Sequence, residues 1–272
     1  MSLPAGFTNS GPSKSTVPPA WPVHLLLTLT LVTAVAGLFV PTKQVAPADG
    51  FALALAAATS VAILARTLPL QSVLFAAFIT ALIGGAAHGL SARTGLPFGP
   101  VSFGEMSGPQ LFNCVPWTLP LIWVVAIFNS RGVARLMLRP WRKVKNYGLL
   151  LMGLTTALAL AFDVALEPFA RAKHLWLWQP TKISLTWQGA SPLSFLGWAF
   201  VSAMILAIIM PYLIRKQPGN SSGPNYAPLA LWLGAIILFT VSAAQAGLWS
   251  ALALNVILAG GGAIFSWRGA KW

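Results

Sequence analysis

Acidic residues are scarce in this sequence: four Asp and Glu stand against 17 Lys and Arg in 272 residues. Charged residues make up 8% of the chain and hydrophobic residues 57%, whereas an ordinary soluble domain is about 25% charged. This deficit excludes a soluble globular domain and indicates an integral membrane protein. The formal charge of +13 needs no nucleic-acid partner to explain it, because membrane proteins concentrate Lys and Arg in cytoplasmic loops.

Cysteine and histidine are nearly absent as well. The single Cys114 excludes an internal disulfide. Three histidines cannot supply the clusters of a membrane di-iron enzyme, although one metal ion held by His88, His174 and an acidic residue is an alternative. The nucleotide-binding loops GxGxxG and GxxxxGK[ST] are also missing. Glycines are therefore predicted to mark close helix packing, at Gly84, Gly85, Gly89 and 260–262.

Long apolar runs are what the chain has in abundance. A transmembrane helix needs about 20 mostly apolar residues, and we predict eight such spans between polar or Pro- and Gly-rich breaks. Only a tight turn near Gly247 divides the last two, so seven spans is the alternative. The predicted spans are 21–41, 50–65, 69–90, 111–129, 147–168, 193–214, 227–246 and 248–266.

The predicted fold is an all-α polytopic membrane bundle with a single domain at 21–268. A polar tail precedes it at 1–20, and a short tail follows at 269–272. The first apolar run is long enough to span and lacks the basic start of a secretory signal, so we expect no cleavage. No repeat of 20 to 50 residues is visible.

Lys and Arg are distributed unevenly over alternate loops of the eight-span model. Twelve of them fall on one side and five on the other. The positive-inside rule therefore predicts that both termini are cytoplasmic. On the basic side, Arg131, Arg135 and Arg139 have helical spacing, which predicts an amphipathic helix lying on anionic lipid headgroups without a catalytic role.

Ionisable residues in or beside apolar spans are functional candidates, because a charge is costly in the membrane. Asp163 and Glu167 are four residues apart, so on a helix they project from one face. Two carboxylates in a low-dielectric pocket cannot both ionise cheaply, and we expect at least one to hold a transferable proton. The structural alternative pairs Asp163 with Arg171 or Lys173. The candidates predicted on the non-cytoplasmic half are His88, Glu105, Asp163, Glu167 and His174.

Aromatic residues are dense between positions 174 and 198. A tryptophan belt at the membrane interface is the ordinary explanation. The functional explanation is a cavity for a long conjugated or polyprenyl ligand, whose ring faces would also stabilise a carbocation. The residues concerned are Trp176, Trp178, Trp187, Phe195 and Trp198.

Two blocks of the chain carry motifs that occur together in one family. The block 96–141 contains FGPVSF followed by VPWTLPLIW, and the block 162–198 contains DVALEP, WLW and GASPLSFLGW. In this combination the motifs resemble the carotenoid biosynthesis family of integral membrane hydratases. Two positions depart from the family pattern, with Glu167 in place of Asp and Ser194 in place of Asn.

The resemblance implies addition of water across the terminal 1′,2′ double bond of an acyclic carotenoid end group, giving a tertiary alcohol. That reaction needs no redox cofactor, metal or nucleotide. Asp163 and Glu167 would form the acid and base pair, in an order left open, with Glu105 as a third acid. The residues expected to bind substrate are Trp176, Trp178, Phe195, Trp198, His88 and Ser194.

The implied substrate is a lipophilic carotenoid or polyprenyl compound that enters sideways from the bilayer of the bacterial inner (plasma) membrane. Membrane lipids and other enzymes of carotenoid synthesis are the expected partners. A non-catalytic carotenoid- or isoprenoid-binding protein is the main alternative. A small transporter is another, although the sequence lacks the repeated halves common in transporters.

The charge distribution makes a topology prediction. Reporter fusions after Lys145 should show a cytoplasmic location, and fusions in the 171–190 loop should show the opposite side. Paired phosphatase and fluorescent-protein fusions at both sites would measure this. Both loops on one side would contradict the eight-span topology.

Overall fold

The computed structural model describes residues 21–39, 45–104, 107–179, 185–214 and 223–272. Within these ranges the chain folds into eight α-helices, which confirms the prediction of an all-α bundle. The helices are α1 (Trp21–Phe39), α2 (Val45–Ala65), α3 (Leu70–Thr94), α4 (Thr118–Met137), α5 (Tyr147–Ala172), α6 (Pro192–Ile209), α7 (Ala227–Gln245) and α8 (Trp249–Ala270).

The outer helices present apolar side chains to their surroundings. On α3, the side chains of Leu74, Phe78 and Leu82 are exposed at a spacing of four residues, so they form one apolar stripe along the helix. Six helices, α3 to α8, are long and apolar enough to cross a membrane. The protein is therefore a polytopic membrane protein. Shorter apolar stretches belong to α1 (Trp21–Ala36) and α2 (Gly50–Ala65).

Helix α4 lies at the centre of the bundle and packs against α2, α3, α5, α7 and α8. On one side, the Nδ2 of Asn129 donates a 2.8 Å hydrogen bond to Ser60 of α2. On another, the Trp123 indole packs against Gly84 of α3, where a Cβ atom would overlap the ring. The predicted close-packing role is confirmed at Gly84, where only a glycine leaves room for this indole. It is wrong at Gly260 and Gly261, where nothing lies within 4 Å of a Cβ atom.

The predicted span at 111–129 is wrong at its start. The residues before α4 form a hairpin in which β2 (Gln110–Leu111) pairs antiparallel with β3 (Val115–Pro116). Phe112 and Asn113 have φ angles of 53° and 50°, which suit a tight turn rather than a helix. The segment is apolar enough to resemble a span, but its backbone turns back on itself before the helix begins.

The helix also continues further than predicted, into the arginine run. Arg131 is 4% exposed, and its Nη2 donates a 2.5 Å hydrogen bond to the carbonyl of Leu213, beyond the end of α6. Arg139 donates to the carbonyl of Ala270 at the end of α8. The prediction that this run lies on lipid headgroups is wrong for Arg131, because the free carbonyls at a helix C-terminus attract a guanidinium group.

A two-stranded sheet covers the end of the bundle opposite to Arg131 and Arg139. We call this end the loop end. It is formed by antiparallel pairing of β1 (Val101–Phe103), after α3, with β4 (Trp176–Trp178), after α5. The register aligns Val101 with Trp178 and Phe103 with Trp176. Two connections that are far apart in sequence thus meet over the end of α5.

The contact between Gly84 and Trp123 makes a stability prediction. Gly84→Ala should lower the thermal midpoint in detergent, because overpacking a tight core contact costs about 1–3 kcal/mol. Gly260→Ala is the matched control: nothing lies within 4 Å of a Cβ there, and alanine favours a helix over glycine by about 1 kcal/mol. Equal midpoints for the two variants would contradict the packing described here.

Candidate functional site

Asp163 and Glu167 lie one turn apart on α5, buried near the loop end of the bundle. Their exposed fractions are 0% and 1%. Neither oxygen of Asp163 has a hydrogen-bond partner among the described residues, and Arg171 instead donates to Gln188 at 3.4 Å. The alternative in which Asp163 pairs with Arg171 or Lys173 is therefore absent from the described structure, and the two carboxyl groups lie one helical turn apart in the interior.

Two indoles hold the carboxyl group of Glu167. Its Oε2 accepts a hydrogen bond of 3.2 Å from Nε1 of Trp176 and one of 2.9 Å from Nε1 of Trp178. The two tryptophans belong to β4, where residues two apart point to the same face of the strand, while Leu177 between them is exposed. The WLW motif thus places two donors on one oxygen.

A third indole supports the same turn of α5. Pro168, inside the helix, has no N–H and cannot bond the carbonyl four residues earlier, which belongs to Val164. The Nε1 of Trp187 donates to that carbonyl at 3.0 Å. Sequence reasoning grouped Trp187 with the other aromatics and missed this role. The available signal was a proline within an apolar helix, because it requires a substitute donor.

The predicted residues of α3 and α6 form an aromatic cluster at the same end. The Trp198 ring stacks on Trp123 with centroids 3.8 Å apart, and the buried His88 ring stacks on Phe98 at 4.3 Å. The His88 and Trp198 rings are 6.1 Å apart. Ser194, one turn before Trp198, is buried, and its hydroxyl has no partner among the described residues.

The segment Phe98-Gly99 joins this cluster to the carboxyl pair. Gly99 has a φ of 108°, and a Cβ atom there would lie 3.8 Å from the Trp178 ring. Ser91 fixes the segment by donating to the carbonyl of Gly99 at 2.7 Å and accepting from the N–H of Phe98 at 3.1 Å. Phe98 therefore packs on His88, while the positive φ of Gly99, which favours glycine, turns the chain beside Trp178.

Other predicted residues are not brought into these contacts. Phe195 is half-buried on α6, next to Ser194 but about 100° further around the helix. His174 is exposed, whereas His88 lies inside the aromatic cluster. Across the described ranges, no three His, Cys, Asp or Glu side chains come together as metal ligands. Glu105, the predicted third acid, lies outside the described residues.

An apolar cavity of about 150 Å³ lies between α1, α2, α4, α5 and α7. Phe162, Leu166 and Phe169 of α5 line it, and so does Trp176. Asp163 and Glu167 follow two of these residues directly, so they occupy the neighbouring face of the helix, about 100° away. Trp176 is the contact between the two regions, because it lines the cavity and donates to Glu167.

The arrangement places a buried pair of carboxyl groups next to an apolar cavity. A carboxyl group in a water-poor interior can give a proton to a weakly basic substrate, and a neighbouring carboxylate can take one from water. The indole ring of Trp176 adds an electron-rich surface at the boundary. These groups suit acid and base chemistry on an apolar molecule.

Comparison with known proteins identifies the family. A family model described as carotenoid biosynthesis protein matches residues 49–261. Bisanhydrobacterioruberin hydratase from Haloarcula japonica is 29% identical over 110 residues, which cover 40% of this chain and 35% of that protein. No solved structure matches. Because the family match covers well over half of the chain, including both the carboxyl pair and the cavity-lining residues of α5, the protein belongs to the carotenoid biosynthesis family.

Proposed function

We propose that the protein is a carotenoid hydratase. The observation that carries this proposal is the buried pair of Asp163 and Glu167, which contacts the wall of an apolar cavity through Trp176. The family membership supports a role in carotenoid synthesis, and the name of the relative from Haloarcula japonica supports hydration in particular. The proposed reaction adds water across the terminal 1′,2′ double bond of an acyclic carotenoid end group.

The wall of the cavity suits the apolar part of such a substrate, because most of the residues that line it are apolar. Hydroxyl groups of Thr30, Ser107 and Thr118 are the few polar side chains in its wall. We propose that the polyene enters from the lipid of the bacterial plasma membrane and directs its end group towards Trp176.

The proposed chemistry uses one proton donor and one proton acceptor. Protonation of the terminal double bond produces a tertiary carbocation, and water then attacks that carbon while it loses a proton to a carboxylate. The face of Trp176 stabilises the cation through its ring quadrupole. The substrate must reach the face of α5 that carries Asp163 and Glu167, so its end group passes the Trp176 indole.

Non-catalytic binding of a carotenoid is the second candidate. The observation that favours it is the cavity wall, which contains no carboxyl group among its described residues. A pigment could occupy this space without reaching Asp163 or Glu167. The two candidates differ in whether these acids are needed, and this difference can be measured.

The hydratase proposal predicts a requirement for both acids. Asp163→Asn and Glu167→Gln should each reduce hydration at least about a hundredfold, because general acid or base assistance contributes about 10²- to 10⁴-fold. Thr155→Val is the matched control. The Thr155 hydroxyl bonds within α5, to the carbonyl of Leu151, so activity should persist. The measurement is hydroxylated pigment per unit of membrane-inserted protein in a host that accumulates lycopene.

Absence of hydroxylated product with the unaltered protein, together with equal pigment retention by all variants, would favour the binding protein instead. Full hydration by both acid variants would refute their catalytic role directly.

A second prediction tests the proposed contact between Trp176 and the cation. Trp176→Phe and Trp176→Leu both remove the N–H bond to Glu167, so they differ only in the aromatic ring. Phe should retain more activity than Leu, by up to about thirtyfold, because a desolvated cation–π contact is worth up to about 2 kcal/mol. The same pair of substitutions at Trp178, which is absent from the cavity wall, should give equal rates. Equal rates at position 176 would rule out cation stabilisation there.

A further inference from the structure

We propose that the two carboxyl groups have separate, fixed roles: Asp163 is the acid that protonates the double bond, and Glu167 is the base that accepts a proton from water. The resting pair then holds a single proton, on Asp163. The part of this inference that concerns the substrate rests on the proposed function. The position of the proton follows from the contacts of the two side chains.

The contacts of Glu167 favour its carboxylate form. An indole N–H can only donate a hydrogen bond, and two of them reach the same Oε2 atom, at 3.2 Å and 2.9 Å. The other oxygen, Oε1, has no partner among the described residues, so every hydrogen bond that reaches the group comes from a donor. Hydrogen bonds from N–H groups are about twice as strong to an ionised oxygen as to a neutral one. The two indoles therefore hold Glu167 as the charged member of the pair.

The surroundings of Asp163 favour its neutral form. The side chain is fully buried, and no described residue donates a hydrogen bond to either of its oxygens. The charge on Glu167, one turn away, further opposes a second negative charge, because like charges repel strongly in a low-dielectric interior. Asp163 therefore keeps its proton and presents an O–H group as a donor.

These states give a balanced reaction. The proton of Asp163 moves to the less substituted carbon of the double bond, and the π electrons form the new C–H bond. A cation remains on the carbon that carries two methyl groups. The oxygen of water bonds to this carbon and releases its proton to Glu167. The proton then passes from Glu167 to Asp163, one helical turn away, and the resting state returns without an oxidant or reductant.

Infrared spectroscopy of the purified full-length protein in detergent can locate the proton without any substrate. The C=O stretching band of a protonated carboxyl group is separate from that of a carboxylate. We expect such a band in the unaltered protein and in Glu167→Gln, and its loss in Asp163→Asn. Loss of the band in Glu167→Gln with its retention in Asp163→Asn would overturn the assignment. Loss of the band in both variants, or its retention in both, would also overturn it.

Removal of one indole donor provides an independent measurement. Trp178→Phe leaves Glu167 with one donor, so we expect a second protonated carboxyl band to appear. Trp187→Phe is the matched control, because that indole bonds the backbone carbonyl of Val164 instead, and its spectrum should not gain a band. A new band in both variants, or in neither, would overturn the role of the indoles.

The spectra also separate this inference from the proposed function. The expected bands together with no hydrated pigment in the lycopene host would leave the proton assignment intact and refute the hydratase. If hydration needs both acids but the protonated band is lost in Glu167→Gln and kept in Asp163→Asn, the hydratase proposal stands and the proton assignment is refuted.

Discussion

Burial of the Glu167 carboxylate is the constraint on which the loop end of the bundle depends. A charge taken out of water costs several kcal/mol unless hydrogen bonds replace its solvation. Here the replacement comes from Trp176 and Trp178, and their strand is held by antiparallel pairing with β1. The segment before β1 is in turn fixed by Ser91. Ser91 and β1 are about 60 residues or more from Glu167 in sequence, yet they support the hydrogen bonds to its Oε2 atom.

Pro168 imposes a second requirement in the same place. It follows Glu167 in the chain and removes one hydrogen bond from the turn of α5 that carries both acids. Trp187 supplies the missing donor from the loop before α6. Trp176, Trp178 and Trp187 thus all belong to the connection between α5 and α6, and all bond the end of α5. Two of these indoles bond a side chain, and one bonds a backbone carbonyl. An ordinary interfacial belt would not account for three such directed bonds.

The sequence was sufficient for the fold class and for the placement of Asp163 and Glu167 on one face of a helix. Long apolar runs predict helices wherever the chain crosses the bundle, and the scarcity of charge makes Asp163 and Glu167 conspicuous. It was insufficient where an apolar segment turns, as at Phe112, because hydropathy does not report backbone direction. It was also insufficient for Arg131, since the carbonyl that this arginine bonds belongs to Leu213, 82 residues further along. Contacts of that kind depend on which helices become neighbours.

The two faces of α5 separate the cavity proposed for the substrate from the pair of carboxyl groups. Phe162, Leu166 and Phe169 face the apolar cavity, while the acids lie on the next face of the same helix. A polyene in the cavity would contact only apolar side chains and the Trp176 ring along this wall. Because the N–H of Trp176 donates to Glu167, the indole ring cannot move away from the boundary between the cavity and the carboxyl pair unless Glu167 loses this hydrogen bond. In the proposed hydratase, access of the end group to the acids and the charge on Glu167 would therefore be linked through one side chain.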